Sequence, residues 1–110
     1  MTGESGRIAE FREVVELFPD DAVPRFGLAT ALLEAGEGDE AAREFQRVIE
    51  MKPDYTAAYR GLGRALERLA RLEEAKEIYR RGIAVGERTG DLQTKKEMEV
   101  FLRRLEQRGA

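Results

Sequence analysis

The sequence predicts an all-α repeat fold of about six helices, and three observations predict it. Apolar residues recur at helical spacing along almost the whole chain, and no β-branched run with period two interrupts them. Turn-forming residues break the pattern at a few short sites. The same residue types return every 34 positions, which marks a chain built from repeated units.

The first apolar stripe is Ile8, Phe11, Val14, Val15 and Phe18, and Pro19-Asp20-Asp21 ends it while offering aspartates to cap the next helix. Phe26, Leu28, Ala31, Leu32 and Leu33 form the second stripe, which stops at Gly36-Glu37-Gly38-Asp39, with Asp39 placed as a cap. Ala41, Phe45, Val48 and Ile49 make the third, and Pro53-Asp54 repeats the first break. Leu62, Ala65, Leu66 and Leu69 follow, then a tighter turn at Ala70-Arg71. Leu72, Ala75, Ile78, Tyr79 and Ile83 form the fifth stripe, up to a break at Thr89-Gly90-Asp91. Leu92, Met98, Phe101, Leu102 and Leu105 form the last. These breaks predict helices near 6–17, 22–35, 39–51, 55–69, 72–87 and 91–107.

Bulk composition narrows the function. A chain of 110 residues with 42% apolar residues suits one domain with a real core. The net charge of −3 argues against a surface built to neutralise nucleic-acid phosphates. With no cysteine and no histidine, the chain has no disulfide, no thiolate nucleophile and no imidazole base or metal ligand. Met1 to Gly6 carries no apolar leader, and the apolar runs fall far short of a bilayer span, so no membrane insertion and a cytoplasmic location are expected. Acid pairs such as Asp20-Asp21, Asp39-Glu40 and Glu73-Glu74 sit at expected helix starts. There they complement the helix dipole, a better account than acid–base catalysis or metal binding. No catalytic motif, cofactor site or metal site is visible.

Seven sets of residues keep the 34-residue step. They are Pro19/Pro53, Phe11/Phe45/Tyr79, Val14/Val48/Gly82, Leu28/Leu62, Ala29/Gly63, Leu32/Leu66 and Ala41/Ala75. Small residues at Ala29, Gly63, Ala41 and Ala75 let two helices cross closely, and Leu28, Phe45, Leu62 and Tyr79 fill the space beside them.

On these residues the sequence resembles the tetratricopeptide-repeat (TPR) family, whose unit is a pair of antiparallel helices, A and B. The resemblance implies a right-handed α-solenoid in one domain, 1–110, with a helix-B half repeat over 7–19. Full repeats over 22–55 and 56–89 follow, then a capping helix over 91–107. Two departures stand out. Arg25 replaces the aromatic favoured at its position, and Glu87 replaces proline, so the fifth helix is free to run to Gly90.

The family's A helices line a concave groove, so the resemblance implies a module that binds a protein or peptide rather than an enzyme. Its groove would use Phe26, Thr30, Leu33, Arg60, Arg64, Arg68 and, from the capping helix, Lys95. Val23, Gly27, Glu34, Ala57, Gly61 and Glu67 also stand at groove positions. Arg60, Arg64 and Arg68 repeat every four residues, one stripe able to grip carboxylates, while Phe26 and Leu33 offer apolar contact. The competing reading makes the arginines a solvated face paired with Glu67 and nearby acids. The clamp some relatives use for chaperone tails is not expected, because its places hold Phe26, Thr30, Gly61, Asp91 and Lys95. The alternative to a docking groove is a homodimer scaffold that self-associates through Ile8, Phe11, Val15 and Phe18 of the unpaired first helix.

Overall fold

The computed structural model describes residues 3–109. Met1, Thr2 and Ala110, the extremes of the expected domain and of the Met1–Gly6 segment, lie outside the described residues. The described residues form six helices and no strand: α1 (Gly3–Leu17), α2 (Ala22–Glu34), α3 (Gly38–Met51), α4 (Thr56–Arg68), α5 (Leu72–Thr89) and α6 (Leu92–Arg108).

Each helix packs on the next, and α4 also packs on α2 and on α6. The outer helices α1, α3 and α5 do not approach one another closely through their backbones. The result is an α-solenoid of two layers, with α2, α4 and α6 as the inner wall. Between the layers lies one continuous core, whose largest fully buried side chains are Tyr79, Phe45, Leu32, Met98 and Val48.

Local chemistry explains the boundaries. Asp21 caps α2 by accepting the amide of Val23 at 3.0 Å. Asp39 does not cap α3. Gly38 packs against Leu69, the helix starts there, and Asp39 falls with Glu40 in the first turn, where both face the positive end of the dipole. In α5 the missing proline lets the helix run to Thr89, and Gly90 closes it at φ 83°. The turn after α2 uses Gly36 at φ 83°, and 34 residues later Ala70 takes the same left-handed conformation at φ 59°. Its Cβ makes that turn costlier by about 1–2 kcal/mol.

Ion pairs tie the outer surface together. Arg12 of α1 reaches Glu40 of α3 at 2.6 Å, and this hydrogen bond holds the Glu40 carboxyl below its ordinary range. Arg7 meets Glu34 at 2.7 Å. Such exposed pairs contribute roughly 0–1 kcal/mol each, so the fold rests mainly on its apolar core.

Candidate functional site: the concave pocket

The inner wall is concave, and its central recess has a volume of about 220 Å³. Phe26, Thr30 and Leu33 enter it from α2, and Arg60, Arg64 and Arg68 from α4. The side chains singled out on these two helices thus converge on one recess. Glu97 and Phe101 of α6 and the edge of Phe45 complete it.

Its glycine is structural. The ring of Phe45 lies directly over Gly61, where a Cβ would overlap it, so Gly61 forms a seat for an aromatic as well as part of the wall. Thirty-four residues earlier Phe11 sits on Gly27 in the same way. Phe26 is half-buried rather than free. Its ring stands 5.7 Å from Phe45 and 5.0 Å from Tyr55, so the apolar end of the recess is a small aromatic cluster.

The arginines are arranged rather than loose. Arg60 pairs with Glu97 across the recess at 2.5 Å. Arg68 donates to the carbonyl of Leu33 at 2.5 Å, bracing α4 against α2. Arg64 lies over the ring of Phe101, 4.5 Å from its centroid. Glu67 does not pair with the stripe. It accepts the Tyr79 hydroxyl at 2.5 Å, and burial together with this bond pushes the phenol well above its usual range.

Lys95 is not brought into the recess. It lies beside α5, its Cβ against Gly86 and its ammonium 4.0 Å from Glu87. The cause is the seating of α6. Met98 is fully buried in a notch at Gly82, where an added Cβ would meet its Sδ at 2.5 Å. That anchor fixes the rotation of α6 and turns Glu97 and Phe101 inward instead. Nothing in the 34-residue pattern flagged these two. The signal available was the spacing of four between Glu97 and Phe101 on a largely polar helix.

The residues considered for self-association are mostly used inside the fold. Val15 is buried, and Ile8 and Phe11 pack against the core on the α2 side. Only Phe18 stays exposed, joined by Leu17 and Val23, which are 72% and 64% exposed. With Met51 and Tyr55 they border a separate recess of about 620 Å³ at the α1–α2 turn. A further groove of about 580 Å³ opens on the outer face between α3 and α5. Its floor is Leu62, Leu66 and Ile78, and its rims mix both signs of charge. Among the described residues, no group of acidic side chains is placed to hold a metal ion, and no helix is long and apolar enough to cross a membrane.

Comparison with known proteins agrees with this architecture. The family model for the tetratricopeptide repeat matches residues 26–90. A TPR repeat-containing protein of Pseudomonas aeruginosa is 40% identical over 87 residues, covering 79% of this chain and 83% of that protein. The solution structure of a Bordetella parapertussis protein superposes with a TM-score of 0.81 at 27% identity, over 92% of this chain and 88% of that one. A tetratricopeptide repeat domain protein from Salinibacter ruber gives 0.74 at 31% identity, over 80% and 89%. The TPR2B domain of yeast Sti1, solved in complex with pHsp70, gives 0.87 over 92% and 81%; at 19% identity it speaks for the fold alone. With 34-residue helix pairs, a concave inner wall and a family match over most of its length, the chain belongs to the tetratricopeptide-repeat family.

Proposed function

We propose that the protein is a non-catalytic docking module that holds a short segment of a partner protein in the recess between α2, α4 and α6. The observation that carries this reading is convergence. Aromatic and aliphatic surface from Phe26, Leu33 and Phe45 meets three guanidinium groups in one concavity, although the chain as a whole is acidic. Apolar walls with a few placed polar groups are the usual make-up of a binding cleft. Arg60 and Arg64 supply the polar grip, Phe26 and Leu33 the apolar one, while Thr30 lines the floor and Arg68 braces it. Lys95 lies outside this recess, beside α5. A cytoplasmic setting fits a chain with no disulfide to lose.

The test compares wild type with an Arg60→Glu/Arg64→Glu variant as bait for a co-purifying partner. Thermal melts serve to check that both are folded. The variant is expected to lose the partner, and equal recovery by both forms overturns the assignment.

One observation favours a second reading, self-association. Leu17, Phe18 and Val23 expose apolar surface side by side at the α1–α2 turn, where an isologous contact between two copies would cover it. Light scattering on wild type and Phe18→Glu separates this from docking. A concentration-dependent dimer that the substitution dissolves supports it, and a monomer at every concentration removes it.

A further inference from the structure

The channel does not end at the central recess. Beyond it, between α4 and α6, Arg64, Glu67, Phe101, Arg104, Gln107 and Arg108 border a second hollow of about 490 Å³. Arg64 and Phe101 border both hollows, so the two lie side by side along the inner wall. Arg64 lies over the Phe101 ring and, among the described residues, makes no ion pair, so its guanidinium has donors to offer a carboxylate. Arg104 and Arg108 stand one turn apart on α6, so both face the same hollow.

Charge here is unbalanced. Ion pairs nearby engage Arg60, Arg80 and Lys95, but among the described residues none engages Arg64, Arg104 or Arg108. Among the described residues the hollow holds one carboxylate, Glu67, which accepts the neutral Tyr79 hydroxyl and keeps its charge. Three guanidiniums without an ion pair, against one carboxylate, leave the hollow positive in a chain whose net charge is −3.

Resting on the docking role proposed above, we infer that the channel reads an acidic segment of a partner protein in one direction. A large apolar side chain enters the Phe26–Leu33–Phe45 end, and neighbouring Asp or Glu side chains lie on Arg64, Arg104 and Arg108. A peptide fits this layout better than a nucleic acid. Glu67 and Glu97 interrupt the channel wall, and an unbroken line of phosphates would run onto both. Carboxylates spaced along a peptide need not meet them, and each suits the bidentate geometry of arginine.

The experiment pans a displayed random-peptide library against the full chain and against an Arg104→Ala/Arg108→Ala variant, in which both changes fall on exposed side chains. Wild type is expected to select peptides with acidic residues at a fixed offset from one large apolar residue. The variant should keep the apolar preference, lose the acidic one, and bind the selected peptides about tenfold or more weakly, as the loss of charge-assisted hydrogen bonds implies. Selection by wild type without acidic enrichment, or an acidic preference that survives in the variant, overturns this inference and leaves the docking role standing. No selection at all by wild type overturns both. Tighter binding of a single-stranded RNA homopolymer than of any selected peptide, abolished in the variant, overturns the peptide assignment alone.

Discussion

The α2–α3 and α4–α5 pairs are built on one pattern yet solve the same packing problem with different chemistry. In both, a residue of the inner helix hydrogen-bonds the carbonyl of the proline six positions earlier. Tyr59 does so at 2.6 Å to Pro53, from a ring only 3% exposed. Arg25 does so at 3.4 Å to Pro19, held by a part-buried ion pair with Glu44 at 2.8 Å, and its Nε is buried without a partner. The outer helices adjust accordingly. The first pair keeps Val48, whereas the second has Gly82, whose open side is filled by the Cβ of Tyr59 and by Met98. The interior aromatics differ too. Phe45 leans forward onto Gly61 of the following inner helix, but Tyr79 lies on Gly63 of its own pair, because the next inner helix offers Lys95 at the place of that glycine. A repeat thus specifies that one large ring needs one missing Cβ, and leaves open which neighbour supplies it.

The largest expected effect tests that rule at the aromatic itself. Phe45→Ala empties a site that is 1% exposed between two pairs, and should cost about 3–5 kcal/mol in chemical denaturation. Phe11→Ala removes the equivalent ring at the edge of the array, where it is only half-buried, and should cost about 1–2 kcal/mol. Equal losses at the two sites would mean that the end helix is as integral as the interior.

A middle-sized effect separates Tyr59 from Arg25. Tyr59→Phe keeps the buried ring and deletes only the hydrogen bond to Pro53, so it should cost about 1 kcal/mol. Arg25→Met/Glu44→Gln deletes a pair whose desolvation offsets much of its attraction and removes the orphaned Nε, so it should stay within about 0.5 kcal/mol of wild type. A large loss in the double variant would show the arginine to be as structural as the tyrosine it stands in for.

How much of this was legible follows from the same contrast. The period of 34 marked the helix pairs, the small residues at their crossings and the arginine stripe, because core spacing is written directly into residue type. It could not give the rotation of α6, which lacks the repeated pattern and is set by Met98 seating on Gly82, a contact between residues sixteen apart with no shared motif. Hence the spacing alone does not place Glu97, Phe101, Arg104 and Arg108 along the inner wall, and it sets Lys95 there although its ammonium lies beside Glu87. The exposed face of α1 differs from the expected one for a related reason. Helical spacing says that Ile8, Phe11 and Val15 share a face with Phe18, but only the position of Gly27 says that α2 already covers the first three.

The smallest expected effect probes the second pair's extra hydroxyl through pH. Tyr79 keeps its proton in the folded state far above the ordinary phenol value of 10.0, held first by burial and then by Glu67. In the unfolded chain the same group releases its proton near 10.0, so above that pH the unfolded state binds fewer protons and stability falls. Below it the contribution is fully present. The loss attributable to Tyr79 is about 0.4 kcal/mol at the unfolded-state midpoint and steepens to roughly 1.4 kcal/mol per pH unit beyond it. Tyr79→Phe has no proton to lose, and Phe45 shows that the outer aromatic of a pair can do without a hydroxyl. The gap in stability between wild type and variant should therefore narrow, by about 0.4 kcal/mol, between urea titrations near pH 8 and near pH 10. Part of the alkaline decline should persist in the variant, because burial also raises Tyr55. A gap that stays constant over that interval would mean that the Tyr79 hydroxyl is no better protected when folded than when unfolded, and that the second pair gains nothing from bonding it to Glu67.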